Sequence, residues 1–513
     1  MTIFTSTYED LPLEDISITE RVFRGVEGRG EAAVLTDGPS GRVITATGFV
    51  SMVKSLAGGL VAKNPGTVAL MAPNIPEYCV VFHGVAYAGG CVTTINPTYT
   101  EHEVRHQLID SSATLMITVP AFLEVSQAAI VGTAVTEIVV IGEAEGATSL
   151  SALMGAPLDA QIPVDWDTHT VVLPYSSGTT GLPKGVMLSH RNLVSNVDAM
   201  LTVIPVEPGD VTSAFLPFFH IFGMTALMNG HLGAGASLVT LPRFDMELFL
   251  QIAQDHKVKR LWTVPPVVLA LAKLPVVDEY DLSSVDEILS GAAPLGAALC
   301  RAVEDRIGCT AIQGYGMTEL SPVSHGSNKR RTKPGAAGVS APNTECKILD
   351  VATGEPLGVG QEGALLVRGP QVMQGYLNNE SATAETIDSE GWLHTGDIGF
   401  FDEDGFLFIV DRLKELIKFK GFQVAPAEIE ACLMAHDAVG DAGVIGVPDD
   451  EAGEVPLAFV VMKPGSTPDE DTLKAYLADQ LASYKQVSKV IFLDAIPKSA
   501  SGKILRRVLR EQV

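Results

Sequence analysis

Short apolar, β-rich runs recur along this chain, each separated from the next by a segment long enough for a helix. "TVALMAPN" (67–74) is closed by Pro-Asn, and "PEYCVVFHGVAYAGG" (76–90) then has helical length and a glycine stop. "SATLMITV" (112–119), "TEIVVIG" (136–142) and "ASLVTLP" (236–242) repeat the strand half of that unit. Strands alternating with helices imply an α/β architecture on largely parallel sheets. At 513 residues the chain exceeds what one hydrophobic core usually organises, so at least two domains are expected. "FDEDGFLFIVDR" (401–412) reads as a hairpin turning at Asp404-Gly405, and the stretch Asp411–Lys414 after it reads as a boundary. The expected division is a large N-terminal body over 1–413, with β-sheets and packed helices, and a small mobile α+β lid over 414–513.

An apolar content of 46% describes an ordered globular chain. The formal charge of −26 argues against a nucleic-acid partner, whose phosphates need a basic face. No uninterrupted run of about 18 apolar residues is present, so no membrane span is expected. The N-terminus "MTIFTSTYEDLPLEDISITE" lacks a basic stretch followed by an apolar one, and the chain ends "REQV" without a Ser-Lys-Leu tail. The six cysteines form no CxxC pair, as expected of reduced thiols. A cytoplasmic protein is the expectation.

Chemistry concentrates first in "LPYSSGTTGLPKGVMLSH" (173–190). The hydroxyls of Ser176, Ser177, Thr179 and Thr180, bare backbone N–H groups at glycines and the ammonium of Lys184 all favour anionic oxygens, which points to phosphate. It is not a P-loop, because Lys184 follows Pro183 and precedes Gly185. A flexible Ser/Gly linker is the plain alternative, but linkers do not set Pro-Lys-Gly between β-rich segments. A second motif misleads. "HEVRH" (102–106) matches the HExxH zinc pattern, yet Arg105 would put a cation beside the metal and the flanks are polar. The reading adopted is an ordinary exposed amphipathic helix.

Four more stretches carry candidate groups. In "QGYGMTE" (313–319) glycines either side of Tyr315 let a flat ring lie on an aromatic, and Thr318 and Glu319 offer a hydroxyl for phosphate and a carboxylate for Mg²⁺. In "GWLHTGDIGF", Asp397 can accept from two vicinal hydroxyls. "VDRLKELIKFKGFQVAPAEIE" and "PKSASGKILRR" bring lysines that would otherwise belong to a solvated helix face and a mobile tail.

Together with "SGAAPLG", these stretches in this order resemble the acyl-adenylate-forming superfamily, and their wording looks most like the 4-coumarate–CoA ligases. The resemblance spans essentially the whole chain. It implies an AMP-forming acid–thiol ligase that uses ATP, Mg²⁺ and CoA on a small carboxylic acid, first making acyl-AMP and then acyl-CoA. By that resemblance Ser176, Ser177, Gly178, Thr179, Thr180 and Lys184 would hold the departing phosphates. Gln313, Gly314 and Tyr315 would frame the adenine, Thr318 would touch the α-phosphate and Glu319 would bind Mg²⁺. Asp397 and Arg412 would hold the ribose, beside a hinge at Lys414. His220 would orient the carboxylate and Lys503 would bridge it to the α-phosphate. Lys418 and Gln423 would serve the thioester step, with Arg243, Lys420 and Gly421 along the CoA channel.

The acyl pocket would comprise Phe222, Thr225, Ala226, Leu289, Gly291 and Ala292. Here the chain departs from its plant relatives, which resemble "HIYxLNS" and carry lysine two residues before the glycine of "GAAPLG". Apolar groups largely replace the hydroxyl, amide and ammonium at those positions, and a buried pocket that cannot pair a phenol loses about 1–3 kcal/mol dehydrating it. Cinnamate, 4-coumarate and medium- or long-chain fatty acids all remain open as the acid.

Overall fold

A computed structural model describes residues 2–64, 66–176, 183–420, 422–449, 451–467, 469–499 and 502–513. The strands expected from the apolar runs form as Thr67–Met71, Leu115–Thr118, Glu137–Val140 and Ser237–Thr240. The first three lie in an eight-stranded sheet with Cys91–Thr94, Thr148–Ser149, Thr170–Ser176, Lys184–Ser189 and Gly375–Tyr376. From Thr170–Ser176 to Thr148–Ser149 its neighbours run parallel. Leu115–Thr118 is buried at all four positions, as a strand covered on both faces must be. Thr67–Met71 sits between Cys91–Thr94 and Leu115–Thr118, so consecutive crossovers leave it in opposite directions. Such a reversal opens a crevice at the carboxyl ends of the strands.

The expectation of largely parallel sheets holds only for part of the chain. A ten-stranded sheet begins with Arg260–Thr263, Glu287–Ser290 and Thr310–Gly316 in parallel and then turns antiparallel through Val323–Gly326, Gly338–Ser340, Phe406–Arg412, Leu393–Phe401 and beyond. The cause is local. The connection from Thr310–Gly316 to Val323–Gly326 is too short to hold a crossover helix, so these neighbouring strands must reverse. At the expected hairpin Asp402 accepts from the N–H groups of Asp404 and Phe406, and Gly405 takes φ +79°.

Residues 417–492 form a five-stranded sheet, mostly antiparallel, in which Lys489–Phe492 pairs in parallel with Gly453–Met462. The helices Pro426–Ala435 and Glu470–Gln480 supply Ile429, Leu433, Leu473 and Leu477 to its core. Phe49, Phe82, Phe218 and Trp262 anchor the much larger core of the preceding residues. All six cysteines are unpaired, and no helix among the described residues is long and apolar enough to cross a membrane.

The helix Glu101–Asp110 carries "HEVRH". A Thr100/Glu103 capping box starts it, Arg105 pairs with Glu101, and His102 is exposed while Val104, Gln107 and Leu108 are buried. Glu103 is therefore spent on a helix end, and among the described residues no three His, Cys, Asp or Glu side chains gather closely enough for a metal.

Candidate active site

The phosphate-type stretch is flanked by two strands of one sheet. Thr170–Ser176 and Lys184–Ser189 pair antiparallel, with Ser176 opposite Lys184 at the base. Ser177, Gly178, Thr179 and Thr180 lie outside the described residues, as do Gly421 and the side chain of Gln423. The Lys184 ammonium sits over the Tyr376 ring, 4.7 Å from its centre. The Tyr376 hydroxyl donates to Oε1 of Glu319 at 2.9 Å. One tyrosine thus couples the phosphate lysine to the candidate metal carboxylate. Glu319 is buried, and a charge-assisted bond of this kind stabilises by about 1.5–3 kcal/mol.

The strand Thr310–Gly316 delivers the aromatic group. The Tyr315 hydroxyl donates to Asp397 at 2.5 Å, and burial together with that carboxylate holds the phenol well above its ordinary value. Asp397 and Arg412 face each other across neighbouring strands, 3.3 Å apart. Gln313 does something the sequence did not suggest. Its Oε1 accepts from the Leu295 N–H at 2.7 Å, so its side chain ties down the "SGAAPLG" loop and shapes the site through that loop. In the same loop Ala292 takes φ +69°, and Gly291 lies so close to Phe222 that an added Cβ would stand 2.8 Å from the ring. Gly291, Ala292 and Phe222 are brought together. Leu289 is buried on the preceding strand, Glu287–Ser290.

His220 begins the turn into an eight-residue π-helix, Phe222–Asn229, a rare element that frequently marks functional sites. That helix carries Thr225 and Ala226, both buried; the Thr225 hydroxyl has no partner among the described residues. Nδ1 of His220 accepts from the Phe222 N–H at 3.2 Å. Burial, then the nearby Lys503 ammonium, lower the imidazole pKa to about 4. At neutral pH the ring is uncharged, and with Nδ1 accepting, its proton resides on Nε2.

Lys503 completes the cluster from the C-terminal residues. Burial, then Arg412, pull its ammonium down to about 8, with Asp397 and Glu415 acting in the opposite sense. Gly502 packs towards Pro266 and Val264, which fixes this segment against the rest of the protein. Lys418 stands apart from this cluster. It is exposed on Ile417–Phe419, paired in register with Gln423, and its N–H donates to Glu454. Lys420 (φ +46°), Lys414 and Arg243 are exposed as well.

Residues 22–377 match the AMP-binding enzyme family, and residues 428–503 match the AMP-binding enzyme C-terminal domain. The chain belongs to the AMP-binding enzyme family. It is 42% identical to 4-coumarate–CoA ligase 5 of Oryza sativa subsp. japonica over 528 aligned residues, covering 100% of this chain and 97% of that protein. Identity to 4-coumarate–CoA ligase 2 of Petroselinum crispum is also 42%, with the same coverage. Among solved structures, an anthranilate CoA ligase in complex with anthranoyl-AMP matches with a TM-score of 0.91 at 27% identity over 98% of each chain.

Three positioning residues of this AMP-binding enzyme were not singled out by its motifs. Asn74 donates to the carbonyls of Ala214 and Leu216 and accepts from the Phe218 N–H, which ties the His220 loop to the end of Thr67–Met71. The Thr94 hydroxyl donates to the carbonyl of Phe219 at 2.8 Å. Their position just past parallel strands was a usable clue, since that edge builds the crevice. Tyr376 gave none, because its partner Glu319 is remote in sequence.

Proposed function

We propose that this protein is an ATP-dependent acid–CoA ligase that forms an acyl-AMP and then an acyl-CoA, acting on 4-coumarate- or cinnamate-type acids. The observation that carries the reading is the convergence of Lys503, His220, Asp397 and Arg412, with the Tyr315 hydroxyl bonded to Asp397. A carboxylic acid is already ionised at pH 7, so attack on the α-phosphorus of ATP needs no general base. It needs the two anions held together. The neutral His220 donates from Nε2 to a carboxylate oxygen, while the Lys503 ammonium bridges acyl and α-phosphate oxygens in a water-poor cleft. Tyr315 and Gly314 frame the adenine, Asp397 and Arg412 hold the ribose, and Thr318 reaches the α-phosphate.

Ser176, Ser177, Gly178, Thr179, Thr180 and Lys184 retain the β- and γ-phosphates until they leave as pyrophosphate. Glu319 suits Mg²⁺, a hard cation bound by few carboxylates with phosphates and water filling its shell. Bound there, the ion neutralises phosphate charge. For the second step the lid, residues 414–513, turns about Lys414 and replaces Lys503 with Lys418 and Gln423. CoA then enters along Arg243, Lys420 and Gly421, and its thiolate displaces AMP.

Leu289 and Ala226 are buried and apolar, and a lining of that kind also favours a medium- or long-chain fatty acid, which is the second reading. CoA-dependent AMP release across cinnamates and C6–C16 fatty acids tests both. Turnover of hydroxylated or plain cinnamates is expected; release with fatty acids alone would replace the substrate assignment, and release with neither would refute the ligase reading.

A further inference from the structure

The helix that carries "HEVRH" turns its inner face toward the site just described. Gln107 immediately follows the motif and is 1% exposed. Its Nε2 donates to Thr93 Oγ1 and to the Thr94 carbonyl, both at 2.9 Å. A carbonyl can only accept, so the orientation of the amide is fixed by chemistry. Its Oε1 is therefore directed elsewhere, and among the described residues it has no partner. Gln107 also lines a small chamber of about 30 Å³, whose wall includes Tyr99, Tyr175, His220 and Thr318. An unmade bond on a buried carbonyl oxygen costs about 1–3 kcal/mol, and a polar chamber of this size accommodates one or two waters.

Two further contacts give the helix leverage. Gln107 holds Thr94, whose hydroxyl in turn holds the carbonyl of Phe219, the residue before His220. One turn later Asp110 accepts from the Tyr175 hydroxyl at 2.6 Å, on the strand that leads into the phosphate-type stretch. The helix thus braces both the histidine loop and that strand from behind.

We infer that Gln107 is a positioning residue for His220. It acts through Thr94 and through an ordered water that donates to Gln107 Oε1 inside the chamber. The inference rests on the reading of His220 as the group that orients the acid.

The test uses the full-length protein in two arms. The first is a crystal structure of the unsubstituted protein, which needs no activity. Density for a water within hydrogen-bond reach of Gln107 Oε1 is expected, and a dry chamber would overturn the water. The second arm measures acid-dependent pyrophosphate exchange in Gln107→Met, which keeps the volume and removes the donors and the acceptor. KM for the acid should rise about tenfold, with KM for ATP and conversion of supplied acyl-AMP to thioester within twofold of the parent. Gln107→Glu keeps the acceptor toward the water and should fall between the parent and Gln107→Met. It also carries the comparison should Gln107→Met fail to fold. An unchanged acid KM, or equal losses toward acid and ATP, would overturn the positioning role. No exchange in the parent protein would refute the ligase reading instead, and the chamber density would still decide the water.

Discussion

Lys503 offers a prediction whose sign and size follow from its surroundings. Burial and the Arg412 guanidinium bring its ammonium down from 10.5 to about 8. Between pH 7 and 9 the reacting carboxylate is already ionised and His220, at about 4, is already neutral. Lys503 alone of these three groups changes charge in that window. At pH 7 about ten molecules in eleven carry the ammonium, and at pH 9 about one in eleven does. The kcat/KM for acid-dependent pyrophosphate exchange, which reports the free enzyme, should therefore fall about tenfold per pH unit above 8. Saturating ATP should move the break upward, because phosphate anions favour the charged form.

The same shift bears on lid closure. A lysine whose pKa is depressed in the closed arrangement penalises that arrangement fully below pH 8, and the penalty is relieved as pH rises from 8 towards 10.5. It is on the order of 2–3 kcal/mol, and an incoming triphosphate offsets it. Lys503→Arg, whose charge is fixed, should be slower but flat across the window. A parent profile unbroken up to pH 9.5, or the same break in Lys503→Arg, would refute this reasoning.

Tyr376→Phe keeps the ring under Lys184 and removes the bond to Glu319, along with the same hydroxyl's contact with Thr386. It should raise the Mg²⁺ concentration needed for half-maximal exchange by roughly tenfold, consistent with about 1.5–3 kcal/mol; an unchanged Mg²⁺ titration would deny the coupling. Gly291→Ala places a methyl against the Phe222 ring. It should raise KM for the acid several-fold while ATP binding by calorimetry stays within twofold; equal losses would place the clash outside the acyl pocket. Leu289→Lys with Thr225→Asn should shift kcat/KM from cinnamate toward 4-coumarate by about tenfold, the size of one added hydrogen bond. A parent that already prefers 4-coumarate a hundredfold would show that another group reads the phenol.

Much of this was legible because the information is local. The runs that became Thr67–Met71 and Leu115–Thr118 carry their own period and turn residues, and the hairpin at Asp402–Gly405 its own turn chemistry. Tyr315 and Asp397 were singled out from short motifs by residue type, whereas Lys503, whose stretch alone reads as a mobile tail, was singled out through the family resemblance. What stayed hidden depends on pairing distant in sequence. No periodicity distinguishes a strand that continues a parallel sheet from one that reverses it, so the antiparallel half of the large sheet was missed. Gln313 stood in a motif, yet its amide serves Leu295. "HEVRH" drew attention to its histidines, while the groups that reach the site from that helix are Gln107 and Asp110.

The central claim is that two lysines of the proposed lid serve different half-reactions: Lys503 is half-buried near Arg412 and Asp397, and Lys418 is exposed. The direct measurement separates the two steps in Lys503→Ala and Lys418→Ala, by acid-dependent pyrophosphate exchange and by conversion of supplied acyl-AMP to thioester. Lys503→Ala should lose exchange by at least a hundredfold and keep the thioester step. Lys418→Ala should keep exchange, accumulate bound acyl-AMP and lose the thioester step. Equal loss of both steps in both variants would contradict the account.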